Sequence, residues 1–335
     1  MLSVVCPIYN EEKYIAKCIE SILSQDYPKD DLEVILVDGM SKDKTKEIVQ
    51  SFIKDYPFLK ILDNPKRIAP SAMNIGICAA RGDVIIRLDA HAMYETNYFS
   101  VLVTALKKLN ADNVGVVCKT DVLNKNPKSL AIREVLSNRF GVGNSVFRTG
   151  VDKVMEVDTV PFGCWKRSAF DEYGMYDERL IRNQDFELNR RIIKGGGHIY
   201  IIPDSFCTYY ARETFQALWK QNYLNGLWGI RTVLFTGATD TLALRHYVPM
   251  IFVLSLIVPS LLGFVWWPFA LLSALSIAAY VLAIGAVCLG LAIKKGLNFF
   301  YLLASFATLH LSNGLGMLKS VFTARSYVKK VNANQ

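Results

Sequence analysis

Residues 84–91 read Val-Ile-Ile-Arg-Leu-Asp-Ala-His and combine an apolar strand pattern with two possible metal ligands at its end. Residues two positions apart at the end of an extended strand can reach one small ion through a turn. The carboxylate of Asp89 and the imidazole of His91 suit Mn²⁺ or Mg²⁺ when a diphosphate completes the coordination sphere. A turn aspartate beside a surface histidine is the competing interpretation of the same pattern.

The sequence on both sides of this stretch alternates between strand and helix patterns over the first 246 residues. Apolar, β-rich runs predict strands at Leu2–Cys6, Leu32–Val37, Leu59–Leu62, Val84–Leu88 and Val114–Lys119. Helical spacing of apolar residues predicts helices at Lys13–Gln25, Lys44–Lys54, Pro70–Ala80 and Asn97–Leu109. This alternation is typical of an α/β fold with a mostly parallel sheet flanked by helices.

Polar residues follow three of the predicted strands, where parallel sheets bind their ligands. They form one candidate nucleotide site: Pro7, Tyr9, Asn10, Glu11, Asp38 and Asp89. Asp38 could accept a hydrogen bond from a uracil N3–H and Glu11 one from a ribose hydroxyl, although Asp38 could also simply close a turn. The sequence contains neither a Gly-x-Gly-x-x-Gly turn after the first strand nor a P-loop, which disfavours dinucleotide cofactors and P-loop nucleotidases.

Asp185 lies near the start of a predicted helix whose buried side includes Leu188 and Ile192. A helix N-terminus favours an ionised carboxylate, so this group is suited to accept a proton, and a capping aspartate is the alternative. Upstream, the small and aromatic residues around Cys164 and Trp165 could line a pocket for an acceptor.

Residues Tyr247–Ile293 contain no Asp, Glu, Lys or Arg. Because a membrane span needs roughly 20 apolar residues, this stretch predicts two spans, at about Tyr247–Val265 and Pro268–Ile293. A third uncharged stretch, Leu297–Leu318, precedes several basic residues. A third full span would place those cations on the side opposite to Lys294 and Lys295, so we expect a re-entrant or interfacial helix there, with Ser305, Thr308 and Ser312 on one polar side.

The composition excludes a disordered chain, because 52% of the 335 residues are hydrophobic and only 20% are charged. The net charge of +8 is compatible with nucleic acid, an anionic membrane or an anionic substrate. Since the mean hydropathy is +0.23, we expect the membrane to be the partner and expect no nucleic acid. Seven scattered cysteines show neither a zinc spacing nor a disulfide framework.

These patterns divide the chain into four predicted parts. They are a catalytic domain over 1–212, amphipathic interface helices over 213–246, transmembrane or re-entrant helices over 247–322, and a basic cytosolic tail over 323–335. The aromatic anchors of Thr214–Tyr223 would hold the catalytic domain at the level of the lipid headgroups. No signal-peptide pattern opens the sequence, so we expect a multi-pass protein of the cell (inner) membrane with its catalytic domain in the cytosol.

The combination of motifs resembles the family 2 glycosyltransferases of the GT-A fold over roughly residues 1–230. The motifs are the first turn, Asp38-Gly39 with Ser41 and Asp43, Asp89-Ala90-His91, Gly163-Cys164 and Gln184-Asp185. The stretches 87–92, 182–185 and 210–212 are similar to the succinoglycan-biosynthesis type of membrane-anchored glucosyltransferase. His91 stands where the family usually has a second carboxylate, and Gln184 stands where it usually has Glu.

The resemblance implies an inverting transfer from a UDP-sugar, with Asp185 as the general base and a divalent cation near Asp89 and His91. The simplest acceptor at a membrane surface is a polyprenyl-diphosphate-linked saccharide, which would place the protein in exopolysaccharide or cell-surface glycan synthesis. Arg212 and Lys220 are candidates for contacts with the acceptor or with a phosphate, or are ordinary surface cations.

Three alternatives remain open from the sequence. The acceptor could be soluble, with the spans serving only as an anchor. The protein could be a processive polysaccharide synthase, although the Gln-x-x-Arg-Trp motif of those enzymes is missing, and Gln221–Asn225 stands where it would be sought. It could also be an inactive membrane-bound scaffold, against which the presence of Asp38, Asp89 and Asp185 argues.

Overall fold

The apolar runs of the N-terminal region form the strands of one sheet. The structure is a computed structural model that describes residues 1–143, 145–237 and 244–333, without the side chains of 244 and 245. Its strands are β1 (Leu2–Ile8), β2 (Leu32–Asp38), β3 (Leu59–Asp63), β4 (Val84–Arg87), β5 (Ala92–Tyr94), β6 (Asn113–Asp121), β7 (Met155–Glu156), β8 (Cys164–Lys166) and β9 (Ile199–Tyr210).

Helices follow most of these strands. They are α1 (Ile15–Leu23), α2 (Thr45–Asp55), α3 (Ala69–Ala79), α4 (Tyr98–Lys108), α5 (Pro127–Val135), α6 (Arg139–Val142), α7 (Val146–Thr149), α8 (Ser168–Tyr173), α9 (Gln184–Lys194), α10 (Phe215–Thr236), α11 (Leu244–Leu262), α12 (Pro268–Lys295) and α13 (Phe299–Ala333). The predicted elements of the first 121 residues are confirmed, with ends that differ by one or two residues, as fraying ends commonly do.

The sheet has the strand order β3-β2-β1-β4-β8-β6-β9-β5, with β7 paired to β9. Strands β3, β2, β1 and β4 are parallel, whereas β8 is antiparallel to both of its neighbours, β4 and β6. The expected parallel sheet therefore accounts for one half of the observed sheet. Local periodicity could not reveal the antiparallel half, because a short buried strand has the same pattern in either direction.

Both faces of the sheet are covered, which explains why β1, β2 and β4 are continuous apolar runs. Alternate residues of β1 enter different cores: Val4 and Cys6 pack on one side of the sheet and Val5 packs on the other. The parallel strands place their carboxyl ends, and with them Asp38 and the turn after Arg87, at one edge of the sheet.

Contacts divide the chain into two units, and the division differs from the predicted domains. Unit 1 is Met1–Lys119 with Val146–Tyr210, and unit 2 is Thr120–Ser145 with Ala211–Gln335. The segment 120–145, which we expected in the catalytic domain 1–212, thus groups with the C-terminal helices. One cause is the pair between the buried Glu134 of α5 and Lys295 at the end of α12, whose Nζ donates to both carboxylate oxygens at 2.8 and 2.9 Å.

Helices α10 and α13 form the largest contact inside unit 2. Gly226 lies against the backbone of Asn313, and Gly316 lies against the backbone of Tyr223, so the absence of two side chains lets the helices approach closely. Helix α13 runs unbroken across residue 323, where we placed the start of a tail. Of the three residues predicted on its polar side, Ser305 and Ser312 are fully buried and donate to carbonyls one turn earlier.

Among the described helices, Pro268–Lys295 is long and apolar enough to cross a membrane, and the shorter His246–Leu262 is also apolar. The turn between them exposes large apolar side chains, including Trp266 and Trp267 at 59% and 68%. These two residues lie between the two spans that the sequence predicts. Residues 238–243 of the predicted interface segment and residues 334–335 of the predicted tail lie outside the described residues.

Candidate active site

The site is organised around Arg87, the last residue of β4, whose side chain is buried. Its Nη2 donates to Asp89 Oδ1 at 3.1 Å, and its Nη1 pairs with Asp185 Oδ1. One guanidinium therefore joins the carboxylates of Asp89 and Asp185, which belong to separate sequence motifs. Sequence reasoning used Arg87 only as part of a resemblance and missed this role, since nothing in its local pattern shows which partner it meets.

Asp185 is the second residue of α9 and does not cap the helix. The capping position belongs to Asn183, which has a left-handed backbone and makes no capping bond through its side chain. Burial raises the pKa of the Asp185 carboxyl above its ordinary value; Arg87 opposes this rise and Asp89 adds to it. A carboxylate that is 26% exposed, oriented by an arginine and raised in pKa is suited to accept a proton.

Two further ionisable groups, Glu187 and Tyr176, lie close to Asp185. Glu187, the nearest alternative base, is bound by Arg191, which donates to both of its carboxylate oxygens at 2.7 and 2.9 Å. Tyr176 lies beside Arg87 and Asp185, and burial raises its pKa well above the ordinary value, so its hydroxyl stays neutral. Glu187 is thus occupied, and Tyr176 forms part of the enclosure around Asp185.

The turn after β4 is fixed by Tyr94 of β5. The Asp89 amide donates to Tyr94 Oη at 2.7 Å, and this hydroxyl donates back to the Asp89 carbonyl at 3.1 Å. His91 follows on the same turn, and its Nδ1 lies 3.1 Å from Glu11 Oε1. Glu11, proposed from sequence for a ribose, is therefore a partner of His91, and β1 and β4 are linked at their carboxyl ends.

An open cleft of about 560 Å³, a volume that includes open solvent, lies at this edge of the sheet. Its wall brings together most of the predicted residues with three that were missed: Pro7, Tyr9, Glu11, Asp89 and His91, with Asn64, Arg67 and Arg87. The residues predicted at the ends of β1 and β4 therefore meet in one place.

Asn10 and Asp38 hold the loops behind this wall. Both Asp38 oxygens accept the Ser41 amide, and Oδ1 also accepts its hydroxyl at 2.5 Å. The backbone N–H of Asn10 donates to Ser41 Oγ at 2.9 Å, and the side-chain Oδ1 of Asn10 accepts the backbone N–H of Lys42 at 2.8 Å. Asp43 accepts the backbone amide of Thr45 at the start of α2. These bonds fix the turns after β1 and β2 relative to each other.

Asn64 and Arg67 follow β3 and were not found from the sequence. Asn64 is 1% exposed, its amide donates to the Asp38 carbonyl at 2.7 Å, and its Nδ2 donates to the Ile68 carbonyl at 2.9 Å. Its Oδ1 has no hydrogen-bond partner in the part of the chain that the structure describes. Arg67 is exposed, with a backbone φ of 57°. A positive φ at arginine leaves no signal in a single sequence.

Cys164 and Trp165 do not line a pocket, and the prediction that they contact an acceptor is corrected. They form strand β8 in the middle of the sheet, where they are 0% and 1% exposed. The small and aromatic composition that suggested a pocket is instead explained by core packing, with Trp165 against Phe170 and Tyr176. Arg212 and Lys220 are exposed residues of unit 2.

The donor set at the cleft fits a divalent cation only if a substrate supplies further ligands. Within the described residues, no three His, Cys, Asp or Glu side chains converge on one point. Asp89 and His91 line the same cleft and offer one carboxylate and one imidazole. Mg²⁺ is usually held by one or two carboxylates together with substrate phosphates rather than by a cage of protein ligands. The two residues fit such a site.

The N-terminal part of the chain is similar to known sequences. A family model described as glycosyl transferase family 2 matches residues 3–174. A dolichyl N-acetyl-α-D-glucosaminyl phosphate 3-β-D-2,3-diacetamido-2,3-dideoxy-β-D-glucuronosyltransferase of Methanococcus voltae is 30% identical over 270 residues, which cover 79% of this chain and 84% of that protein. The succinoglycan biosynthesis protein ExoA of Rhizobium meliloti (strain 1021) is 31% identical over 231 residues, 66% of each chain.

Comparison with solved structures shows a shared fold. The mannosyltransferase PcManGT from Pyrobaculum calidifontis, solved with GDP-Man and Mn²⁺, has a TM-score of 0.60 at 19% identity. The match covers 96% of this chain and 87% of that one. GalNAc-T7, solved with UDP, GalNAc and Mn²⁺, has a TM-score of 0.52 at 20% identity, over 70% of this chain and 47% of that one.

Proposed function

Because the chain belongs to glycosyltransferase family 2 and has the GT-A fold of such enzymes, we propose that it is an inverting glycosyltransferase that adds one sugar to a membrane lipid-linked saccharide. The donor is a UDP-sugar and the acceptor a polyprenyl-diphosphate-linked saccharide, in the synthesis of an exopolysaccharide or cell-surface glycan. The observation that carries the proposal is the joining of Asp89 and Asp185 by Arg87 beside the cleft.

Asp185 acts as the general base in this proposal. Its carboxylate takes the proton of the acceptor hydroxyl while that oxygen forms a bond to the anomeric carbon of the donor sugar. The bond between this carbon and the β-phosphate oxygen of UDP breaks, the electron pair leaves with the diphosphate, and the configuration inverts. Arg87 orients the carboxylate through their ion pair.

The nucleotide occupies the cleft lined by Pro7, Tyr9 and Glu11. The uracil lies on the side of Asp38 and Asn64, where the unpartnered Asn64 Oδ1 is a further acceptor for its N3–H. Arg67 at the cleft wall supplies a positive charge for a phosphate. The structures of two fold neighbours contain nucleotides or nucleotide sugars, which supports this assignment of the cleft.

Asp89 and His91 are the residues that hold a divalent cation, Mn²⁺ or Mg²⁺. When bound, the cation offsets the negative charge that develops on the leaving diphosphate. We expect Asp89→Ala to abolish transfer, because it removes the carboxylate of the pair. His91→Ala should impair the cation-dependent transfer less severely than Asp89→Ala does. His91→Asp should keep activity with an altered Mn²⁺/Mg²⁺ preference. Full transfer by Asp89→Ala in the presence of a chelator would disprove the metal site.

The membrane part of the proposal draws on unit 2 and on the relatives. The name of the Methanococcus relative specifies a dolichyl-linked acceptor, and ExoA acts in succinoglycan biosynthesis. We propose that α11 and α12 span the inner membrane as a hairpin, that α13 stays at the interface, and that Arg212 and Lys220 meet the acceptor phosphate. The N-terminal catalytic part and the basic C-terminus are then both cytosolic, and a C-terminal reporter found outside the cell would contradict this topology.

The deciding experiment offers the purified full chain a panel of UDP-sugars with and without lipid-linked acceptors and measures product masses. The proposal predicts a single added sugar on a lipid-linked acceptor, with inverted anomeric configuration. A ladder of masses would instead identify a processive synthase. Transfer to soluble acceptors alone would mean that the spans serve only as an anchor. The absence of both transfer and donor hydrolysis with every sugar would identify an inactive scaffold.

A further inference from the structure

Helices α10 and α13 carry cations but no acidic side chain. The cations are Lys220, Arg231, Lys319, Arg325, Lys329 and Lys330. Five of them are exposed, which is the ordinary state of a solvated surface cation. Arg231 differs because it is partly buried between the two helices. A partly buried cation loses hydration and needs a group that compensates for that loss.

The surroundings of Arg231 are aromatic. Its guanidinium carbon lies 3.8 Å from the ring centroid of Tyr327 on α13 and 5.4 Å from that of Trp228 on its own helix. Its Nε is buried and has no hydrogen-bond partner among the described residues. Burial lowers the pKa of Arg231 from its ordinary value, and Tyr327 and Tyr223 oppose this effect. Among the described residues, the guanidinium is therefore held in place by aromatic rings and not by a carboxylate.

A partly buried cation without a carboxylate loses hydration and gains no ion pair in return. Tyr327 stacks on one face of the guanidinium but supplies no negative charge. Lys330, three residues after Tyr327, lies one turn further along the same side of α13. Within the part of the chain that the structure describes, the charge around Arg231 is therefore positive, which favours the binding of an anion.

We propose that Arg231, stacked on Tyr327 and assisted by Lys330, binds the phosphate of an anionic membrane phospholipid. The planar guanidinium is well shaped to hold two phosphate oxygens at once. The chemistry of the neighbourhood selects a lipid over a free anion. Trp228, Tyr327 and Phe235 form the mixture of aromatic and basic groups that is typical of the headgroup region.

The continuation of the chain supports the same occupant. Helix α11 begins eight residues after α10 ends, and α11 and α12 expose apolar side chains along their length, such as Ile251, Leu261 and Leu282. A helix that leads directly into such surfaces ends near lipid headgroups. This site is separate from the cleft of unit 1 and does not depend on the proposed transfer reaction.

The test uses the full chain in a neutral detergent and measures its melting temperature with added phosphatidylglycerol, phosphatidylcholine or inorganic phosphate. For the wild type we expect phosphatidylglycerol to raise the melting temperature by on the order of 5 °C at saturation, and the other two to have little effect. Arg231→Gln should lose most of this rise, and Arg231→Lys should keep part of it, because a point charge remains but stacking and bidentate binding are lost.

Two more variants keep the result interpretable. Lys108→Gln removes an equal charge from an exposed position on α4 of unit 1 and should respond to phosphatidylglycerol like the wild type. Lys330→Gln, also an exposed change, should reduce the rise and replaces Arg231→Gln if that variant does not fold. An undiminished rise in both Arg231→Lys and Lys330→Gln would overturn the proposal. An equal rise with inorganic phosphate would overturn the choice of a lipid.

Discussion

Residues 1–213 contain 29 Lys and Arg against 29 Asp and Glu, whereas residues 214–335 contain nine against one, so the second region carries the whole net charge of +8. In the first region, charged groups near the site and in the core neutralise one another. Arg87 pairs with Asp89 and Asp185. In the second region, cations such as Arg231 have no acidic partner on their own helices. The first arrangement positions reacting groups, and the second suits an anionic surface.

The exception supports the comparison. Lys295 at the end of α12 does have an acidic partner, but Glu134 comes from the segment 120–145, outside the second region. Where a cation of the C-terminal region needs a carboxylate for protein packing, the chain supplies it from the balanced part of the sequence. The cations of α10 and α13 have no acidic residue on either helix, and we propose that their partner is lipid.

The largest expected effect on the balanced region comes from Asp185→Asn. Asparagine keeps the shape of the side chain but cannot accept the proton, so the transfer rate should fall by about 10²–10⁴-fold. UDP affinity should not change, because the residues assigned to the nucleotide lie at the ends of β1, β2, β3 and β4 or in the turns after them, and not on α9. Measuring the transfer rate, the UDP affinity and the melting temperature of Asp185→Asn tests whether Asp185 is the base. Near-normal transfer would show that the paired charges serve stability alone.

Arg87→Gln tests whether one cation organises both carboxylates. Its loss leaves Asp89 and Asp185 close together without a counter-charge and should lower the free energy of unfolding by about 3 kcal/mol, the low end for breaking a buried pair, since both carboxylates are partly exposed. Chemical denaturation measures this change. Adding Asp185→Asn to Arg87→Gln should recover part of the stability, because it removes one of the two repelling charges. A double variant no more stable than Arg87→Gln would mean that the charges do not interact.

Glu33 makes the second buried charge network of the balanced region and gives a pH test. Burial favours the protonated form, but hydrogen bonds from Ser3, Arg81 and Lys60 outweigh it and lower the pKa of Glu33 from 4.5 to about 2. This contribution, about 2–3 kcal/mol, is complete above pH 4.5 and is lost as the pH falls towards 2. Glu33→Gln should therefore be less stable than wild type at pH 7, with a difference that disappears near pH 2. A difference independent of pH would rule out the charge as its cause.

The smallest expected effect concerns the packing of helices α10 and α13 in the second region. A Cβ on Gly226 would overlap the carbonyl oxygen of Asn313, so Gly226→Ala should separate α10 from α13 and cost about 1–3 kcal/mol. Gly285→Ala is the matched control, because a Cβ at Gly285 meets nothing within 4 Å. Melting temperatures of the two variants give the comparison. Equal values would show that close approach of the two helices contributes nothing to stability.

The sequence by itself determined the elements and the chemistry at their ends. The strand and helix patterns of the first 121 residues, the polar turns after β1, β2 and β4, and the apolar helices at the C-terminus follow from local periodicity and local composition. Asp89, His91 and Asp185 stood out because their types and their places at element ends suggested metal and proton chemistry. These features depend on neighbours in the chain, which a sequence displays directly.

Only the tertiary structure decided which of these groups meet. The bridge from Asp89 through Arg87 to Asp185, the pairing of Glu11 with His91, and the unpartnered Oδ1 of Asn64 join distant positions, and local patterns contain no information about such pairs. The burial of Cys164 and Trp165 has the same origin, since β8 enters the sheet antiparallel between two strands that lie far from it in sequence. The stacking of Arg231 on Tyr327 likewise joins two different helices, α10 and α13, which also contact each other closely at Gly226 and Gly316.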